Sequence, residues 1–322
     1  MGVSCRAKSR YKFVVGPQER APLRGFPITC HSVSRDCRPW LTTGAAPRLG
    51  NTQLASRMRH LAIAASIGII LQIGQVHALG EFIPAGARSA GMGDAYVGLA
   101  EDAEGLLWNP GSVSMGKKRS AMVSYDRPFG IPELESVAAA FVIRHGRAAL
   151  GVHHQGFHAA TFSEASNSLV TGWRVRHVGV GLRLRFIQTR AGRGAGHDWL
   201  VFDLGLRIDN SKGIGVGMVG WNVGGTKTGI LGQGGMVGLA VTKAATTLTV
   251  DVQKEAGTAT GGAVGVEFRV SASGRIRLGV GGHPERLTVG VGVRKTWMEI
   301  DYGILYHTVL GFTHRVSVAF SR

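Results

Sequence analysis

No cysteine follows position 37 in this 322-residue chain; Cys5, Cys30 and Cys37 are all it has. Three cannot all pair with one another, and their spacing fits no zinc pattern. A cysteine-free remainder suits an oxidising envelope compartment, where a stray thiol is a liability. A second absence is a long apolar run. Crossing a membrane as a helix takes about 20 apolar residues, and the best stretch, Leu61 to Leu71, is about half that. A third is a nucleophile motif: Ser, His and Asp are present, but no Gly-x-Ser-x-Gly frames a serine, so no enzyme is expected. The glycine motif Gly215-Val-Gly217-Met-Val-Gly220 is followed by Trp221-Asn222-Val223-Gly224-Gly225. That is a poor helix start, so the motif reads as a glycine-rich strand and not a dinucleotide loop. His153 and His154 fall on opposite faces of a strand and His158 in a loop, which argues against a shared metal. No cofactor is expected.

The formal charge of +17 invites a nucleic-acid reading, but its distribution argues against one. Residues 1–78 hold +9 of it, and the remaining arginines alternate with apolar residues instead of clustering on one helix or an aromatic sheet. From Met58 the chain reads MRHLAIAASIGIILQIGQVHALG. A short basic start, an apolar core and small residues at Val76 and Ala78 make the three-part pattern of a secretory signal. It spans 58–78, with cleavage near Ala78 and no lipobox cysteine. Residues 1–57, basic and without periodicity, are expected to be disordered or not translated, with initiation at Met58.

Beyond about residue 119 the hydrophobic period is two. Val178, Val180, Leu182, Leu184 and Phe186 share one face, opposite Gly179, Gly181, Arg183 and Arg185. Leu200, Phe202, Leu204, Leu206 and Ile208 repeat this against Asp203, Gly205 and Arg207. Such segments fall near 119–126, 134–145, 147–156, 168–176, 177–188, 199–209, 213–222, 235–243, 246–254, 262–271, 274–282, 286–295, 297–308 and 312–321. A soluble sandwich also alternates. The export signal, apolar faces about ten residues long, and a glycine- and charge-rich opposite face favour a membrane barrel. In lipid every backbone group must pair, so strands cross only as a closed barrel. The expectation is an all-β, closed antiparallel transmembrane β-barrel of about 14 strands over 119–322, in the bacterial outer membrane. Tight turns are expected on one rim, with longer connections near 157–167, 189–198 and 223–234.

Residues 79–118 break the alternation. Asp102 is placed to cap a short helix, Ala103 to Trp108, which Asn109-Pro110-Gly111 stops. The segment reads as a plug or hatch with short helices. The barrel's inner face is expected to carry Arg183, Arg185, Asp203, Arg207, Asp251, Glu267, Arg269, Arg275, Arg277, Arg294, Glu299 and Asp301. These either pair across the ladder as a salt-bridged interior packed on the plug or form a basic path for anions and polar parts of substrates.

The hatch stretch GARSAGMGDAYVGLAEDAEGLLWNPG resembles the amino-terminal signature of the PorV/PorQ group, within the FadL-like fourteen-strand barrels. Gly86-Ala87-Arg88, Gly91, Met92, Gly93, Ala95, Asp102, Trp108, Asn109 and Pro110 carry the resemblance, with Asp301-Tyr302-Gly303 and Leu310 to Val318 at the other end. Gly111 departs from it, since that group commonly has alanine there. The resemblance implies either passage of small hydrophobic compounds gated by the hatch, or a type IX secretion barrel that holds secreted proteins with no open pore. Outer-membrane lipid is the expected surrounding in both, and no nucleic-acid partner in either.

Overall fold

The computed structural model describes residues 83–100, 102–192, 194–224, 231–282 and 285–322. The signal segment 58–78 and the extension 1–57 lie outside the described residues. Among those described, fourteen strands close on themselves. They are β1 (Arg119–Arg127), β2 (Glu135–His145), β3 (Ala148–Ala159), β4 (Phe162–Val175), β5 (Val178–Ala191), β6 (Ala195–Asp209) and β7 (Ile214–Val223). Then come β8 (Gly234–Lys243), β9 (Thr246–Glu255), β10 (Gly261–Arg269), β11 (Gly274–Gly282), β12 (Arg286–Lys295), β13 (Met298–His307) and β14 (Gly311–Ser321). Each pairs antiparallel with its sequence neighbour, and β1 pairs with β14, Val123 opposite Val318, so no edge is left open.

Period-two alternation becomes a two-sided wall. Leu150, Val152, Leu169, Leu184, Leu204, Leu278, Val289 and Ile300 point outward and are exposed. An apolar surface that encircles a protein needs lipid, not water, around it. Trp173 and Trp297 stand on the outer face toward the tight-turn end, Tyr125 and Tyr306 toward the other. Amphipathic rings take such positions at membrane interfaces.

Two of the three expected long connections are corrected. β3 runs through Ala159 and β4 starts at Phe162, so 157–167 is mostly strand, and His158 lies in β3, not in a loop. Likewise β5 and β6 continue through most of 189–198. These four strands outlast the apolar belt. The long connections are 128–134 and 224–233, the second only partly described. They share one rim, the loop rim. The opposite rim has tight turns and also holds the carboxyl end and the lead into β1.

Residues 83–100 and 102–114 fill the barrel. Helix α1 (Ala87–Gly91) packs on β12 and β13, helix α2 (Ala103–Trp108) on β1 to β3, and a 3-10 turn (Pro110–Ser114) on β4 to β6. Asp102 caps α2 as expected, accepting from Gly105 N at 3.1 Å.

Candidate functional site: the plugged lumen

The plug rests on glycine. At its closest approaches of backbone to wall, the wall has no side chain. A Cβ on Gly181 would fall on the Pro110 carbonyl oxygen, and one on Gly217 on the Val97 carbonyl oxygen. One on Gly279 would strike the Gly93 nitrogen. The plug does the same in return: a Cβ on Gly91 would lie 2.9 Å from Gly290 Cα, and one on Gly111 2.8 Å from the Gly205 backbone. Gly111, where the resembling group has alanine, is therefore matched to Gly205 on β6. Gly93 also needs its left-handed φ of +69°.

Polar contacts tie the seat together. Asp251 on β9 accepts from Tyr96 N at 2.7 Å and Val97 N at 2.8 Å. Asn109 accepts from Gly111 N and donates to Leu206 O, both at 2.9 Å. Trp108 Nε1 donates to Ala85 O at 3.1 Å. Arg183 on β5 pairs with Asp203 at 2.6 Å and donates to Leu107 O, also at 2.6 Å. That puts a cation against the carbonyl end of α2, where the helix dipole favours it. Arg185 shares Asp203 at 2.9 Å. Arg207 reaches Ala100 O at 2.5 Å and Asp209 at 2.7 Å.

A second cluster centres on Arg277, wholly buried, which donates to Glu267 and Asp301 at 2.6 Å each and to Glu299 at 3.3 Å. Arg88 of α1 forks onto the same Glu267 at 3.0 and 2.9 Å, so one carboxylate is shared between plug and wall. Arg294 closes the cluster on Glu299 at 2.6 Å. Of the twelve charged positions expected inside, nine are buried: Arg183, Arg185, Asp203, Arg207, Asp251, Glu267, Arg277, Glu299 and Asp301. Arg275 and Arg294 are half-buried, and Arg269 is exposed at the tight-turn rim.

Several participants carried no sequence signal of their role. Arg315 on β14 reaches Asp126 at 3.2 Å and Asp94 of the plug at 3.4 Å, and Arg286 reaches Asp94 at 3.4 Å. Asn222 adopts φ +54° at an irregularity where β6–β7 pairing slips between Phe202 and Leu204. Its backbone N donates to Asp203 at 2.8 Å and its amide oxygen accepts from Arg185 at 2.5 Å. Such bulges re-aim a side chain; the isolated β7 sequence gives no warning of this one. Glu104 of α2 is buried and accepts from Ser89 N at 2.7 Å. Burial, with Asp102 beside it, pushes its carboxyl up to about 8 against that bond.

Open space borders the plug toward both rims. At the loop rim a cavity of about 710 Å³ has apolar walls from Ile83, Pro84, Trp108, Phe129, Phe157 and Leu305, and polar ones including Asp94, Asp126, Arg286 and Arg315. At the tight-turn rim a cavity of about 420 Å³ is lined by Arg88, Arg207, Arg269, Arg275 and Arg294.

A plugged fourteen-strand transmembrane barrel is the class this architecture defines. Solved structures of the same fold include a Pseudomonas aeruginosa FadL homologue (TM-score 0.57, 10% identity, 75% of this chain and 99% of that one). The P. putida toluene transporter TodX matches as well (TM-score 0.56, 10% identity, 75% and 99%). A mutant of TodX, described as a monoaromatic hydrocarbon channel, gives a TM-score of 0.59 at 10% identity, over 76% and 100%. At that identity the likeness is one of fold. No family model matches the chain, and neither does any curated protein.

Proposed function

We propose that the chain is an outer-membrane barrel for small hydrophobic compounds, exported by the signal at 58–78, with residues 79–118 gating the lumen. The observation that carries this is the loop-rim cavity. It is large enough for a small molecule, its apolar wall includes Trp108 and Phe157, and its floor is the plug. An apolar compound entering from that side meets aromatic surface first and the plug second. The structural neighbours named for toluene and monoaromatic hydrocarbons support the same substrate class. Polar and backbone contacts seat the plug, and these can be exchanged for water if it moves. The test is deletion of residues 79–100: in a planar bilayer the variant is expected to conduct while the parent stays quiet. A silent variant that is still folded would sink the reading.

A second reading is favoured by the glycine seat. Backbone lies directly on backbone from Gly91/Gly290 to Gly111/Gly205, which suits a permanently sealed lumen. It agrees with the PorV/PorQ resemblance of Gly91, Gly93, Asp102, Trp108, Asn109 and Pro110, and with an interaction barrel of a type IX system. Co-purification of secretion components from native outer membrane is its test.

A further inference from the structure

The two rims differ in charge. At the tight-turn rim cations recur around the barrel: Lys118, Arg147, Arg176, Lys212, Lys243 and Lys295 are all exposed and lie at the start of β1 or in successive turns. Among the described residues the acidic side chains at those turns and strand ends are Asp209, bound by Arg207, and Glu299, bound by Arg277 and Arg294, and the terminal carboxylate of Arg322 lies at the start of β1 on the same rim. The loop rim mixes signs and pairs them, as in Arg190–Asp198 at 2.6 Å and Arg127–Glu135 at 3.8 Å.

Inside the basic ring lies the 420 Å³ cavity, and its arginines are not balanced. Its carboxylates are spoken for: Glu267 by Arg88 and Arg277, and Asp209 by Arg207. Arg269 and Arg275 stand directly opposite one another on β10 and β11. They lie on the face that Glu267 and Arg277 occupy one step deeper. Like charges directly opposed on one face of a sheet repel. Arg275 comes no closer than 4.0 Å to a carboxylate, Glu299, and otherwise donates to Ser273 O at 3.4 Å. Arg269 donates to Ala244 O at 3.3 Å and has no ion pair among the described residues. Arg294, on the next strand, lines the same space. Three guanidinium groups around one recess, two without a close carboxylate, are a fork-shaped donor set suited to a planar or tetrahedral oxyanion. The outer ring of cations raises the local anion concentration at the mouth.

We infer that the tight-turn mouth of the barrel is a binding site for a phosphate or carboxylate group, held by Arg269, Arg275 and Arg294. The same oxyanion can come from a free anion or from the headgroup of an amphiphile in the adjoining leaflet. The site does not depend on whether the lumen conducts.

The refolded full chain in uncharged detergent micelles tests this with two probes, inorganic phosphate and dodecyl phosphate. Both are expected to bind and to raise the thermal midpoint, and the R269Q/R275Q double variant is expected to weaken each at least tenfold. Equal affinity for the two probes identifies a free anion as the source; tighter binding of dodecyl phosphate identifies a lipid headgroup. A second readout separates this from a structural role. In phosphate-free buffer R275Q relieves repulsion and raises the midpoint, whereas loss of a structural ion pair lowers it. A lowered midpoint, no binding of either probe below about 10 mM, or unchanged affinity in the double variant overturns the inference.

Discussion

Arg277 shows what a single side chain has to do inside this barrel. It is wholly buried and contacts three carboxylates, two of them at 2.6 Å. Removing one member of a buried ion cluster strands the others without water, which costs about 3–5 kcal/mol. Arg277→Met keeps most of the volume and removes the charge. Its unfolding free energy, from urea titration in phospholipid vesicles, is therefore expected to fall by that amount, and a loss below about 1 kcal/mol would mean that Arg88 and Arg294 suffice. A one-residue offset reverses the rule on the other face. Leu184 points outward between the inward-facing Arg183 and Arg185. Leu184→Arg puts a charge into lipid and is expected to cost about 2–4 kcal/mol if near the bilayer midplane, measured the same way.

Among the elements, the plug has its own titration. The carboxyl of Glu104 sits at about 8 in the folded chain because it is buried beside Asp102; unfolded, it returns to the ordinary range near 4. The folded state therefore holds a proton that the unfolded state has lost between those values. That contribution to stability is complete below about 4 and drains away as pH rises through about 8. The seat of the plug is expected to loosen between pH 6 and pH 9, seen as faster amide exchange in residues 85–108. Glu104→Gln keeps an acceptor for Ser89 N and should flatten that dependence; a variant that loosens as much as the parent would discard Glu104 as the cause.

The strands show where sequence reading works and where it stops. Wherever lipid faces the wall, alternation is forced, and the positions of all fourteen strands were legible from it. Alternation marks β3 to β6 too short, because the outward positions near ends that run past the apolar belt hold His158, Asn167, Gln188 and Asp198. There the outer face no longer has to be apolar, so the signal disappears while the hydrogen-bonded ladder continues. The inward direction of the charged residues was also legible, since it follows from the same period. Their partners were not. Arg88 meets Glu267 across 179 positions and Ala87 N meets Ser317 across 230, and periodicity holds no information about which charge the fold brings to which.

At the scale of the whole molecule, the barrel is polarised along its axis. An aromatic-walled cavity opens at the loop rim, and a basic cavity within a ring of lysines and arginines opens at the other. The sealed middle explains how a chain with so many arginines on its inner face remains a folded body and not a wide anion pore: most of those charges are spent on one another and on plug carbonyls. A compound crossing this barrel would leave an apolar vestibule and arrive at a cationic one, so the two mouths sort for different parts of an amphiphile.

The glycine seat has a consequence for how such a chain can change over time. Along the lipid face any apolar side chain serves, and neutral drift is wide. At Gly181, Gly217 and Gly279 the side chain is absent because the plug backbone, at Pro110, Val97 and Gly93, occupies its place, so even alanine requires a compensating shift in a segment far away in the sequence. Under mutational pressure the wall and the plug are bound to vary together along that seam, and related chains that have diverged almost everywhere else should still carry the footprint of the plug written in glycine.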